Sequence, residues 1–148
     1  MSEARLYPSV AIVDDEQDLV DVYTRLFRLK KITVCFVAGN GQEAVDAYRQ
    51  SRVKPDIVIM DNRMPLMNGL DAMKAIMAID RKARFIFMSA DASVREQVTA
   101  MGALFLKKPA SLQELMRAIE SLSGGHDGSG SCDGGTGNRG NSPGTACL

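Results

Sequence analysis

Apolar residues along this chain follow two alternating rhythms. Short unbroken runs occur at Val10–Val13, Thr33–Val37, Ile57–Met60, Phe85–Met88 and Leu104–Leu106. Runs this short and continuous suit strands buried on both faces, as in a parallel sheet. Between them, apolar positions recur at helical spacing. Leu19, Val22, Tyr23 and Leu26 form one stripe, and Ala44, Val45 and Tyr48 a second. Leu70, Met73 and Met77 form a third, and Val94, Val98 and Met101 a fourth. The last is Leu112, Leu115, Met116, Ile119 and Leu122. Helix starts are marked as well. Ser93 with Glu96 and Ser111 with Glu114 read as capping boxes, and Asn40 precedes Glu43 in a similar arrangement. Asn68-Gly69 supplies a turn before the third helix. Five βα units in about 120 residues predict an α/β fold: an open, doubly wound, five-stranded parallel sheet with helices on both faces and right-handed crossovers.

The rhythm stops near Ser123. Residues 7–122 are expected to form one folded domain, and 123–148 a Gly/Ser/Asn-rich tail with too little to bury to offset its ordering entropy. Gly135, Gly137 and Gly140 spell GxGxxG there. Without a strand before it and a helix after it, the pattern carries no dinucleotide site. His126, Cys132 and Cys147 match no compact zinc spacing.

Charge adds little, with 18 basic against 18 acidic residues, so no overall field draws the chain to nucleic acid or a membrane surface. No apolar run approaches the ~20 residues needed to cross a bilayer. Three cysteines, Cys35, Cys132 and Cys147, make no disulfide framework, and a reducing cytoplasm is the expected compartment.

The strand ends carry the chemistry. The first strand runs into Asp14-Asp15-Glu16, the third into Asp61, the fourth into Ser89 and the fifth into Lys107-Lys108-Pro109. In a doubly wound sheet the carboxyl edge is where ligands bind. Solvated strand ends explain any one of these residues, but not acids on one side with hydroxyl and lysine on the other. Carboxylates packed together repel unless a cation joins them, and a hard divalent ion, Mg²⁺ or Mn²⁺, takes oxygen ligands. An ionised aspartate can attack phosphorus, while lysine and hydroxyl neutralise the equatorial oxygens. Asp61 is the candidate carboxylate on a central strand between the two sides, so it is the expected nucleophile.

Together these residues resemble the receiver domain of two-component signalling, the phosphoacceptor half of a response regulator. The likeness rests on Ala11-Ile12-Val13-Asp14-Asp15-Glu16, on Asp61-Asn62-Arg63-Met64-Pro65 with Asn68-Gly69, on Phe87-Met88-Ser89-Ala90, and on Gly102-Ala103 with Phe105-Leu106-Lys107-Lys108-Pro109. It implies the flavodoxin-like strand order 2-1-3-4-5. It also implies roles: Asp61 as phosphoacceptor, with Asp15 and Asp61 binding Mg²⁺ directly, Asp14 through water, and Arg63 through its backbone carbonyl. Ser89 and Lys108 would bind the phosphoryl group, Phe105 would be the aromatic switch, and Lys108–Pro109 would be cis. A sensor histidine kinase or histidine phosphotransfer protein would be the donor. The chain would then be a stand-alone phosphoacceptor rather than an enzyme, with a protein–protein or relay output and no direct nucleic-acid binding.

Two positions depart from the commonest pattern. Phe105 lacks a tyrosine's hydroxyl, and Ala110 stands where phenylalanine often follows Lys-Pro. Arg63 and Asp91 are expected at the mouth of the site, where an ion pair between them would slow hydrolysis of the aspartyl phosphate. Other conspicuous residues have plain structural readings. Met73, Met77, Met88, Met101 and Met116 fall at core positions, where Met fills gaps. Arg81, Lys82 and Arg84 suit a solvated connection, and Asp14 to Asp18 lack the remaining ligands and glycine of a calcium loop. An aspartate-based phosphatase needs an acid/base partner and a substrate pocket, neither of which is evident. A receiver-like module that is never phosphorylated has no need of the full set Asp15, Asp61, Ser89 and Lys108.

Overall fold

The computed structural model describes residues 8–123. The element order is β1 (Ser9–Val13), α1 (Gln17–Leu29), β2 (Thr33–Ala38), α2 (Gly41–Gln50), β3 (Ile57–Asp61), α3 (Gly69–Ile79), β4 (Arg84–Ser89), α4 (Arg95–Ala100), β5 (Leu104–Lys107) and α5 (Leu112–Ser123). The five parallel strands are ordered β2-β1-β3-β4-β5. The chain divides into two compact units, residues 1–115 and 116–148. The first holds the sheet, α1 to α4 and the start of α5. In the second, the described residues complete α5, so helix reaches Ser123, the first residue expected in the tail. The rest of the tail lies outside the described residues.

Burial explains why the unbroken runs became central strands. Every residue of β1 and β3 is buried, whereas β2, at one edge, buries only Ala38 fully. Alternation then sorts side chains between the two faces. Ala11, Val13, Val58, Met60, Phe85 and Phe87 join one core cluster with Val45 and Tyr48 of α2, Met73 and Ile76 of α3, and Val98 of α4. Ile12, Ile59, Ile86 and Met88 point the other way, where Tyr23 of α1 reaches Met88 Sδ at 3.9 Å. Helices thus flank both faces.

The β1–β2 ladder carries a bulge. Val10 pairs with Val34 and Ala11 with Phe36, so Cys35 has no opposite number.

Five expectations about local structure meet the structure differently. Ser111 and Glu114 form the reciprocal box, at 3.0 and 2.8 Å, and Asn40 accepts from Glu43 N–H at 2.8 Å. Ser93 and Glu96 do not. Asp91 instead accepts from Ser93 N–H at 2.9 Å and caps a 3₁₀ turn, Ala92–Val94, so the cap lies two residues earlier and α4 is only six residues long. In α1 the buried face is Val20, Tyr23 and Phe27, while Val22 is 45% exposed. Apolar residues on two adjacent faces blurred that stripe, and the larger Phe27 took the core. In α5 the series holds at Leu115 and Ile119, which are buried, and fails at Leu112, which is exposed.

Candidate functional site

The site grows from the carboxyl ends of four adjacent strands, and backbone hydrogen bonds hold those ends together. Asp14 N–H donates to Ala38 O at 3.0 Å, Asn62 N–H to Met88 O at 3.2 Å, and Lys108 N–H to Ser89 O at 2.9 Å. Each bond extends the ladder one residue past a strand end, so the side chains at those ends sit at fixed spacing. Asp61 is the last residue of β3 and Ser89 the last of β4. Asp14 follows β1, and Lys108 follows β5 just before a cis Lys108–Pro109 bond.

Asp14, Asp61 and Ser89 are all buried, an unusual setting for two carboxylates. Oxygens of Asp14, Asp15 and Asp61 lie within 4.8 Å of one another. Lys108 Nζ stands 2.7 Å from Asp61 Oδ1, 3.3 Å from Asp14 Oδ2 and 3.8 Å from Glu16 Oε1. Asp14 is oriented from behind, since its Oδ1 accepts from Glu16 N–H at 2.9 Å.

The electrostatics follow. Burial raises the Asp61 carboxyl above its ordinary range; Lys108 opposes this through hydrogen bond and charge, and Asp14 and Asp15 add repulsion. Burial alone would lower Lys108, but its bonds to Asp61 and Asp14 outweigh that and hold it above the ordinary lysine value. Burial lifts the Tyr23 phenol, with the charges of Lys108, Asp14, Asp61 and Glu16 adding smaller effects of both signs.

On the Ser89 side, the hydroxyl accepts from Asp91 N–H at 3.0 Å. Asp91 lies below the usual carboxylate range, first because of its hydrogen bonds from Ser93, and least because of the Arg63 charge. Both Arg63 and Asp91 are exposed. The ion pairs found among the described residues do not include one between them. Phe105 is buried, with the Arg95 guanidinium 5.6 Å from its ring centroid. Lys107 is exposed.

Three oxygen-bearing carboxylates at this spacing fit a hard divalent cation, and the ammonium already drawn among them reflects the same need for positive charge. Arranged beside them are a lysine and a hydroxyl on the next two strands.

The sequence of residues 10–120 matches the response regulator receiver domain. The chain belongs to that family. A chemotaxis protein CheY of Thermotoga maritima is 38% identical over 117 residues, covering 77% of this chain and 96% of the relative. The transcriptional regulatory protein PrrA of Mycobacterium tuberculosis is 31% identical over 118 residues, covering 78% of this chain but only 49% of PrrA. The receiver thus spans nearly all of the first relative and about half of the second. Among solved structures, the CheX–CheY–BeF3–Mg complex of Borrelia burgdorferi matches with a TM-score of 0.74 at 30% identity, over 78% of this chain and 88% of that one. The receiver domain of sensor histidine kinase PA1611 from Pseudomonas aeruginosa, with magnesium coordinated in its active-site cleft, matches with a TM-score of 0.69 at 28% identity, over 80% of this chain and 98% of that one. The flavodoxin-like order 2-1-3-4-5 is the receiver fold. No helix among the described residues is long and apolar enough to cross a membrane.

Two contributors escaped the reading of the sequence. In the sequence Glu16 stands only as part of an acidic run directly after the aspartate pair, and the structure brings it to 3.8 Å from Lys108 Nζ. Tyr23 reads as a core residue, and nothing in its spacing indicates that the site's charges act on its phenol.

Proposed function

We propose that this receiver accepts a phosphoryl group on Asp61 and uses it to switch a protein–protein contact or to pass the group to a histidine protein. The observation that carries this is the Lys108–Asp61 pair at 2.7 Å beside the Asp14, Asp15 and Asp61 cluster. The donor is a sensor histidine kinase, a histidine phosphotransfer protein or a small acyl phosphate. An Asp61 oxygen attacks phosphorus as the donor's bond to phosphorus breaks, and the leaving group departs with that electron pair. Mg²⁺ or Mn²⁺, when bound, supplies positive charge to the phosphoryl oxygens. Asp15 and Asp61 would hold it directly, Asp14 through water and Arg63 through its backbone carbonyl. Lys108 turns to a phosphoryl oxygen, and the Ser89 hydroxyl donates to another. Phe105 then responds to the displacement of Ser89. Arg63 and Asp91 flank the path of the hydrolysing water and slow its attack.

In this reading the chain is a cytoplasmic signalling phosphoacceptor, not a turnover enzyme. The test is intact mass after acetyl phosphate and Mg²⁺. Wild type gains one phosphoryl mass and Asp61→Asn gains none; equal labelling of the variant would overturn the assignment.

A further inference from the structure

Lys108 Nζ stands within ion-pair distance of three carboxylates, not two. Asp61 at 2.7 Å and Asp14 at 3.3 Å belong to the cluster that fits a cation; Glu16, at 3.8 Å, does not. This creates a conflict. A divalent cation and an ammonium repel each other, yet both draw on the oxygens of Asp14 and Asp61. Cation binding therefore requires Lys108 to withdraw. Its backbone is pinned through Lys108 N–H to Ser89 O at 2.9 Å, so only the side-chain stem can move.

Glu16 is placed to receive it. Its backbone N–H is fixed on Asp14 Oδ1 at 2.9 Å, which sets its Cα at the mouth of the site. Its side chain is 68% exposed, so closing from 3.8 Å to a hydrogen bond meets little obstruction. Asp18, the next acid along the chain, makes no ion pair with Lys108 among the described residues.

Resting on the metal-dependent reading above, we propose that Glu16 is a positioning residue that seats the Lys108 ammonium when a divalent cation takes Asp14 and Asp61. Lys108 then waits beside the site instead of competing for it, ready to return to a phosphoryl oxygen. The plain alternative is an exposed pair that contributes nothing measurable, as many do.

Calorimetric Mg²⁺ titration of the full chain decides between them. Wild type, Glu16→Gln, Lys108→Met, the double variant and Asp18→Asn are compared. Glu16→Gln weakens Mg²⁺ binding about threefold, the scale of an exposed ion pair. Lys108→Met tightens binding, and in that background Glu16→Gln costs no more than Asp18→Asn does in wild type. Glu16→Asp recovers part of the loss. A direct readout accompanies this: the Lys108 side-chain nitrogen resonance shifts on Mg²⁺ addition in wild type and shifts less in Glu16→Gln. An equal loss from Glu16→Gln with and without Lys108 would mean a through-space charge effect and would overturn the proposal, as would no loss at all. Failure of wild type to bind Mg²⁺ would instead sink the metal-dependent reading on which it rests.

Discussion

The loops after β3 and after β4 border the same site, yet they are held in opposite ways. The β3–α3 loop is bolted by backbone. Gly69 N–H donates to Asn62 O at 2.8 Å, Gly41 N–H of α2 to Met67 O at 3.0 Å, and Met67 N–H to Pro65 O at 2.7 Å. Asn68 caps α3 by accepting from Asp71 N–H at 2.9 Å. The bolting is tight enough to hold Leu66 at φ 68°, a conformation costly for a side chain with a Cβ. The β4–α4 loop relies on two side-chain fasteners, the Ser89 hydroxyl and the Asp91 carboxylate, with a backbone bond from Arg95 N–H to Ala92 O inside its 3₁₀ turn, followed by a short helix. On the proposed reading the difference suits a division of labour: the Asp61 side stays still while the Ser89 side yields.

The sharpest way to break this comparison is to put a methyl group on the bolted side. A Cβ on Gly69 would collide with the backbone carbonyl of Asp61. Gly69→Ala should cost about 3 kcal/mol in urea unfolding, the upper range for overpacking. Gly102→Ala, where a Cβ meets nothing within 4 Å and only the positive φ of 99° resists, should cost about 1–2 kcal/mol. Equal losses would mean the loop gives way more easily than its bonds suggest.

Charge on the acceptor comes next. Because folding raises the Asp61 carboxyl, the folded state holds its proton more tightly than the unfolded chain does. Stability therefore falls as pH rises through the ordinary carboxylate range and into the raised folded value. Without divalent cation, Asp61→Asn should be more stable than wild type at neutral pH, and this advantage should vanish in acid. Mg²⁺ at about 100 times its Kd should add ~2.7 kcal/mol to wild type and much less to the variant. Urea midpoints against pH, with and without Mg²⁺, check both signs.

On the yielding side, Asp91→Ala removes the cap on Ser93 N–H and should cost about 1 kcal/mol. The smallest effect joins the two loops. Replacing Arg63 or Asp91 with alanine should shorten the half-life of the aspartyl phosphate about twofold, and the double change should fall short of the product. Unchanged dephosphorylation in all three variants would show that the loops act independently.

How far the sequence can be read depends on which forces decide. Strands whose residues are buried on both faces, such as Val10–Val13 and Ile57–Met60, announce themselves because nothing polar is tolerated there. The strand-end residues Asp14, Asp61, Ser89 and Lys108 were legible for a related reason: polar groups at regular strand ends stand out against apolar runs. What stayed hidden was settled by tertiary competition. Val22 and Phe27 both suit a core, and only packing decided that Phe27 enters. Ser93 and Asp91 both suit a cap, and Asp91 won because Ser89 already holds its N–H. The reach of Lys108 to Glu16 depends on a stem conformation that no spacing encodes.

The unmatched Cys35 has a consequence for the molecule among its own copies. β2 reads TVCFVA, an uncharged, proline-free segment on the rim of the sheet. A straight rim of this composition is a template for strand-by-strand aggregation. The extra residue at Cys35 breaks the regular spacing of the ladder and kinks the rim, so a second copy finds no straight run of groups to pair with. A one-residue irregularity thus blunts the edge that would otherwise template pairing with a second copy.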